Sequence, residues 1–184
     1  MQRVFPMVAI LAGLVVLAVF GEAAVLLPLS LEQMVVRAPY IVQFKVKEIN
    51  YEVIENKPFT LATCEVIKTL KGDSAATVEL RLPGGQMGEM EMVVPGAPIV
   101  KSGESYVAFL EPDTPPLPRK PAWHPLGLGQ GMFALVEKEG RTFAIQTLNQ
   151  APIIFAACTN DANQCLNALR SQGYELADLL QRIK

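Results

Sequence analysis

Tyr40-Ile41-Val42-Gln43-Phe44-Lys45-Val46-Lys47-Glu48-Ile49 and Thr60-Leu61-Ala62-Thr63-Cys64-Glu65-Val66-Ile67-Lys68-Thr69-Leu70, closed by Lys71-Gly72, decide the fold. The first stretch alternates apolar and polar residues, and the second does so less strictly. A period of two sends successive side chains to opposite faces of a sheet, one buried and one wet. The two stretches therefore read as long strands, with Asn50 to Pro58 as an exposed polar tip between them. Lys71-Gly72-Asp73 stops the second strand, since Gly accepts backbone angles that other residues avoid.

Shorter strands follow. Thr77 to Leu82 alternates clearly, with Val78, Leu80 and Leu82 pointing one way and Glu79 and Arg81 the other. Glu89 to Val94 and Tyr106 to Leu110 read as further strands. Met132 to Glu137 and Thr142 to Gln146 form a hairpin, with Gly140 where the turn needs unusual angles. Ser30 caps a helix through Arg37, and Gln33 three residues on completes a capping box. Ala38-Pro39 ends it, because the residue before Pro avoids helical angles. Ile153 to Ala157 reads either as a buried strand or as an apolar plug. Asn160 or Asp161 caps a helix through Gln172, with Gly173 as its stop. Leu176, Leu179, Leu180 and Ile183 form the apolar stripe of a last helix. The expected fold is mainly β: a small OB-like closed barrel, with an N-terminal helix and C-terminal helices packed on it (α+β).

The chain has 184 residues, 51% of them apolar, and a formal net charge of −2. No basic field holds nucleic acid. Arg3, an apolar run from Met7 to Phe20 and then Gly21-Glu22-Ala23-Ala24 make a secretory signal peptide cleaved after Ala23 or Ala24. The competing reading is an uncleaved anchor, although the run is shorter than the ~20 residues of a comfortable span. That anchor is the one route to a membrane. The expected organisation is a signal peptide over 1–23, the OB-like domain over 24–150 and a C-terminal helical extension over 151–184. The mature protein is then periplasmic or extracellular. There one disulfide can form among Cys64, Cys158 and Cys165, and Cys158 with Cys165 is the favoured pair. Cys64, on a strand, reads as a small buried apolar group.

Several loops are candidate contact surfaces. Pro83-Gly84-Gly85-Gln86-Met87-Gly88 is a glycine-rich connection without the Gly-Lys-Ser/Thr of a phosphate loop. Six prolines stand between Pro112 and Pro125, and Trp123 and His124 lie at the end of that run. Such a run favours extended backbone outside any central strand. Trp123 reads either as an exposed contact or as a cover for the barrel mouth. Gly127, Gly129 and Gly131 suit a strand edge pressed against another backbone, with Gln130 among them. Two of Met87, Met90 and Met92 read chiefly as core fillers; the other reading is a soft, adaptable contact surface. The candidate binding residues are thus Gly84, Gly85, Gln86, Trp123, His124 and Gln130. No metal or cofactor is expected, because the lone His124 has no neighbouring ligands in sequence.

The helix, the strand Ala38 to Val46, the strand ending Val66-Ile67-Lys68-Thr69-Leu70-Lys71-Gly72 and then Thr77 to Leu82 resemble the netrin-like fold. That is the OB-type barrel of the tissue inhibitors of metalloproteinases. Gly103 to Leu110 is similar to the segment where a Gly-containing turn enters a core strand. The resemblance covers Ser30 to Leu110 and, less fully, Met132 to Ile145. The chain is also similar to uncharacterised exported bacterial proteins with the same Leu-Lys-Gly, Pro-Gly-Gly and Gly-Gln-Gly signposts. The inhibitors chelate zinc through an N-terminal Cys. Here no Cys lies between the mature start and Cys64, so those residues have no counterpart.

The leading expectation is an exported, non-catalytic binding or accessory module with a protein partner in the envelope or secreted fraction. An inhibitor of a secreted metalloprotease acting through barrel loops is the alternative. An enzyme built on His124 with Cys158 or Cys165, or on Glu89 and Glu91, ranks last. A nucleophile needs its base within hydrogen-bond reach, and nothing in the sequence brings these together. Tyr40, Phe44, Lys45 and Lys47 alone do not make the stacking groove of a nucleic-acid binder.

Overall fold

The computed structural model describes residues 24–113, 122–147, 153–155 and 173–184. The segment read as a signal peptide, the disulfide expected between Cys158 and Cys165 and the helix expected over 160–172 lie outside the described residues. In chain order the strands are β1 (Ala24–Leu26), β2 (Tyr40–Ile54), β3 (Lys57–Lys71), β4 (Thr77–Pro83), β5 (Gly85–Met87), β6 (Met90–Met92), β7 (Ser105–Pro112), β8 (Trp123–Pro125), β9 (Met132–Lys138), β10 (Arg141–Gln146), β11 (Ile153–Phe155) and β12 (Gly173–Glu175). The helices are α1 (Leu31–Arg37) and α2 (Leu176–Ile183). The chain is mainly β.

At α1, Ser30 Oγ accepts from the Gln33 N–H at 3.2 Å, and Gln33 Oε1 accepts from the Ser30 N–H at 2.9 Å. The capping box thus satisfies two of the donors that a helix start leaves open. Its far end is closed from outside. Lys71 Nζ donates to the carbonyl oxygens of Val35 at 2.7 Å and Val36 at 3.3 Å. An ammonium there meets both orphan carbonyls and the negative end of the helix dipole. Next to it, Gly72 has φ +91°, and a Cβ there would lie 2.9 Å from the Pro39 carbonyl oxygen. The Leu-Lys-Gly signpost therefore has a structural account. Lys71 ends the helix, and Gly72 lets β3 leave past the start of β2.

The β2–β3 hairpin differs from the sequence expectation at its tip. Pairing runs on through Ile54 and Lys57, and the turn is only Glu55-Asn56, with φ of +50° and +62°. Two positive-φ residues match the twist of the strands. Neither is Gly, so the usual cue was missing. The register shifts three times. Two shifts leave Leu70 and Ile67 of β3 without a partner on β2, and the third leaves Lys47 of β2 without one on β3. Each bulge changes which residues share a face. Before Lys47 the inward residues of β2 are Tyr40, Val42, Phe44 and Val46. After it, Ile49 takes the inward side, and Tyr51 and Val53 continue that face.

The large sheet runs β12-β10-β9-β7-β2-β3-β4-β8, and β8 pairs with β7 as well. The strands β7, β2, β3, β4 and β8 therefore close a ring. Inside it lies one core, in which Phe44 stacks on Tyr106 at 5.8 Å. A second core lies outside, where α1, α2 and β9 cover Ile41, Val107 and Phe109. Leu179 and Ile183 bring α2 into it, and Arg182 pairs with Glu32 of α1. The strand β7 serves both cores, so Tyr106 to Leu110 are all buried.

One expectation here is corrected and others are made specific. Trp123-His124-Pro125 is a strand, not part of an irregular loop: Pro125 and Trp123 pair with Leu110 and Pro112 of β7. A short ring-closing strand tolerates Pro where a central one would not. The helix that Gly173 was expected to stop lies outside the described residues, and Gly173 itself is a strand residue. It opens β12 and pairs with Ile145, so the C-terminal extension also adds a strand. Ile153 to Phe155 pairs in parallel with β1. No helix among the described residues is long and apolar enough to cross a membrane.

Replacing Gly72 by Ala is expected to destabilise the protein by about 1–3 kcal/mol, through positive φ and the contact with the Pro39 carbonyl. Lys71→Met should cost about 1 kcal/mol, the range of a lost helix-end contact. Urea denaturation checks both, and a Gly72→Ala midpoint equal to wild type would contradict the assignment.

Candidate functional site

The bulge at Lys47 has a consequence at the far end of the hairpin. The inward face of β2 continues through Ile49, Tyr51 and Val53, past the last residue covered by the ring. Ile49 is half-buried against the inner core, while Tyr51 and Val53 are exposed. The β5–β6 hairpin lies over part of this face. Gly85 packs so closely that a Cβ would sit 2.7 Å from Thr60 Oγ1 and 2.8 Å from the Tyr51 ring. Thr60 Oγ1 donates to the Gly84 carbonyl at 2.9 Å, and the Gly84 N–H donates to the Pro58 carbonyl at 3.0 Å. A Cβ on Gly84 would meet the Met92 carbonyl oxygen at 2.7 Å. The Pro-Gly-Gly run is therefore needed for close backbone approach.

Around this junction the surface is apolar. Tyr51, Val53, Met90, Met92, Val93 and Ile99 are all exposed, Ile99 at 59% and Val93 at 53%. Of these, Tyr51, Met92, Val93 and Ile99 line a pocket of about 80 Å³ together with Gly84 and Gly85. Small-molecule sites occupy roughly 300–1,000 Å³, so this hollow takes one side chain rather than a cofactor. Contiguous exposed apolar residues mark contact surfaces. The expectation that two of the three methionines fill the core is overturned, since Met90 and Met92 are exposed and Met87 is half-buried. Two wider hollows, about 730 and 550 Å³, lie beside α2. None of the sequence-predicted site residues lines them.

A second cluster lies at the seam where β8 closes the ring. On the outer face, His124 Nδ1 is 3.1 Å from Asp113 Oδ1, and His124 Nε2 is 3.2 Å from Glu111 Oε1. Asp113 also pairs with Arg81 of β4 through Nη1, and Glu52 of β2 lies 3.8 Å from Arg81 Nε. Arg81 is only 4% exposed, although alternation sends it outward to solvent. Two carboxylates thus converge on one guanidinium, and His124 joins β8 to them through Asp113. Both ring nitrogens of His124 face carboxylates, so neither is turned toward a nucleophile. No group of three or more His, Cys, Asp or Glu among the described residues is placed to hold a metal ion.

The remaining candidates scatter. Trp123 is half-buried against the inner core, its ring 5.0 Å from that of Tyr40. Gln130 is 1% exposed and is corrected from a contact to a clamp. Its Oε1 accepts from the Leu29 N–H, and its Nε2 donates to the Leu27 carbonyl, both at 2.9 Å. It ties the entering chain to the 126–131 turn. Gly131 there packs on backbone, with a Cβ position 2.7 Å from the Phe109 carbonyl oxygen. Gln86 is exposed. Cys64 is buried inside the ring, and burial pushes its thiol up to about 12.

The structure thus brings Gly84 and Gly85 to one surface, leaves Gln86 on the other face of the β5–β6 hairpin, and places Trp123, His124 and Gln130 elsewhere. Sequence reading missed Tyr51, Val53, Val93 and Ile99 on that surface, and Glu52, Arg81, Glu111 and Asp113 at the seam. Tyr51 and Val53 do alternate within the supposed tip, and that signal was available. No protein-family model, curated protein or solved structure matches the chain.

Arg81→Met should lower stability by about 3 kcal/mol, because it leaves the Asp113 and Glu52 carboxylates facing a buried gap without a cation. Adding Asp113→Leu should recover part of that loss, and a double-mutant cycle in urea reads the coupling. Equal and additive losses would show that the two side chains act independently.

Proposed function

We propose that the five-stranded ring is a small OB-like barrel of netrin-like type, and that the protein is an exported, non-catalytic binding module. Its contact surface is the apolar face built from Tyr51, Val53, Met92, Val93 and Ile99 beside the Gly84-Gly85 junction. The partner is an apolar segment of another exported protein, which seats one side chain in the small pocket. The carrying observation is the continuation of the inner face of β2 beyond the ring. The hydrophobic effect would bury Tyr51 and Val53 if the fold alone decided. Instead the bulge at Lys47 presents them, and β5–β6 adds further apolar groups around them. The engagement of both His124 nitrogens by carboxylates favours a binding role over catalysis. The apolar segment before Gly21 supports export.

The test is capture from the exported fraction of the producing cell, with the immobilised protein and with a Val93→Asp/Ile99→Asp variant. The expected result is one reproducible protein retained by the wild type and lost with the variant. A partner held equally by both would place the contact elsewhere and contradict this surface. Dose-dependent inhibition of a captured secreted metalloprotease would specify the module as an inhibitor. Substrate turnover abolished by a single polar substitution would overturn the non-catalytic reading.

A further inference from the structure

Three of the seven methionines stand within six residues, at Met87, Met90 and Met92. The register of the β5–β6 hairpin puts Met87 opposite Met90 and Gly85 opposite Met92. Directly paired residues share a face, as do residues two apart on one strand. All three methionine side chains therefore stand on one face, and the fourth place on it is Gly85, which has no side chain. Side chains directly opposite have Cβ atoms about 4.5–5.5 Å apart, and diagonal neighbours remain within reach of long side chains. Flexible thioethers at these positions can converge on a single ion. Met90 is 65% exposed and Met92 40% exposed, whereas Met34 and Met132 are fully buried. Met90 and Met92 are thus offered to solvent where ordinary packing would hide them, and Met87 beside them is half-buried.

A thioether is a neutral, soft donor. It ligates copper(I) and its analogue silver(I) and ignores hard cations such as magnesium or calcium. It carries no proton to displace, so binding would not weaken in mild acid as it does at thiolate or imidazole sites. The Tyr51 ring stands beside Gly85 on the same face, where an aromatic surface can face a bound cation. Glu89 and Glu91 are exposed on the same hairpin and supply negative charge nearby. We propose that Met87, Met90 and Met92 form a thioether site for one soft monovalent cation, copper(I) or silver(I). This goes beyond the protein-contact reading and does not rest on it, because Met→Leu exchanges keep the surface apolar while removing the sulfur.

Silver nitrate titration of the purified protein in chloride-free buffer, followed through the methyl signals of 13C-labelled methionine, tests it. The expected result is that the signals of Met87, Met90 and Met92 move together and saturate at one equivalent, while those of Met34 and Met132 stay in place. The Met87→Leu/Met90→Leu/Met92→Leu variant should lose affinity by about tenfold or more. Silver that leaves the three signals unmoved, or that binds the triple variant as tightly because a cysteine holds it, would overturn the proposal. Separate movement of the three signals at different silver equivalents would also overturn it, since the site requires them to act as one.

Discussion

Everything in the fold leans on a strand with no solvent face. β7 buries Tyr106 to Leu110 without a break. Tyr106, Ala108 and Leu110 enter the ring, and Val107 and Phe109 enter the core beneath the helices. A sheet with one wet face needs one core, whereas a strand wet on neither face couples two. The inner core depends on β7 pairing with β2, and the outer core depends on the same strand presenting Phe109 to Phe133, whose rings meet edge-on at 5.8 Å. Burial inside the ring also keeps the Tyr106 phenol protonated far above its ordinary range, with its hydroxyl donating to Glu104 Oε2 at 2.8 Å. Ring closure by β8 completes the inner core with Trp123 on Tyr40. The ionic seam of Arg81, Asp113, His124 and Glu111 then holds a strand that has little backbone pairing of its own.

Much of this was legible from alternation and capping. The period of two placed β2, β3 and β4, and Ser30 with Gln33 announced α1 because a capping box is local chemistry. The continuous apolar run Tyr106 to Leu110 marked a buried strand for the same reason. What failed was non-local. Periodicity assumes an unbroken phase, and the bulge at Lys47 breaks it, so Tyr51 and Val53 were assigned to a polar tip. Arg81 alternates like a solvent-facing residue. Its burial depends on Asp113, which is distant in sequence and arrives only when the chain returns through β7. Gln130 lay among glycines that suited a strand edge and counted as a contact residue, yet the chain entering at Leu27 and Leu29 covers it. The Leu-Lys-Gly signpost was visible as a stop, but that Lys71 caps a helix required the folded chain.

The same bulge links the fold to the proposed contact surface. A hairpin of fifteen-residue strands is longer than a ring of short strands can cover. The excess could have been polar on both faces. Instead its inner face stays apolar, and β5–β6 folds onto it through two glycines that allow backbone contact. The outcome is an apolar platform fixed by backbone hydrogen bonds, which would limit the ordering entropy of the proposed binding. The ion cluster occupies the outer face of the neighbouring strands, so the polar and apolar devices of the molecule are separated by the thickness of one sheet.

The most direct measurement is amide hydrogen exchange of the protein alone and with its captured partner, read by peptide mass spectrometry. The account predicts added protection confined to Tyr51–Ile54, Gly85–Met92 and Val93–Ile99, with the β9–β10 hairpin and α2 unchanged. Protection centred on α2 or on the β9–β10 hairpin, with the Tyr51 and Ile99 segments unaffected, would contradict it.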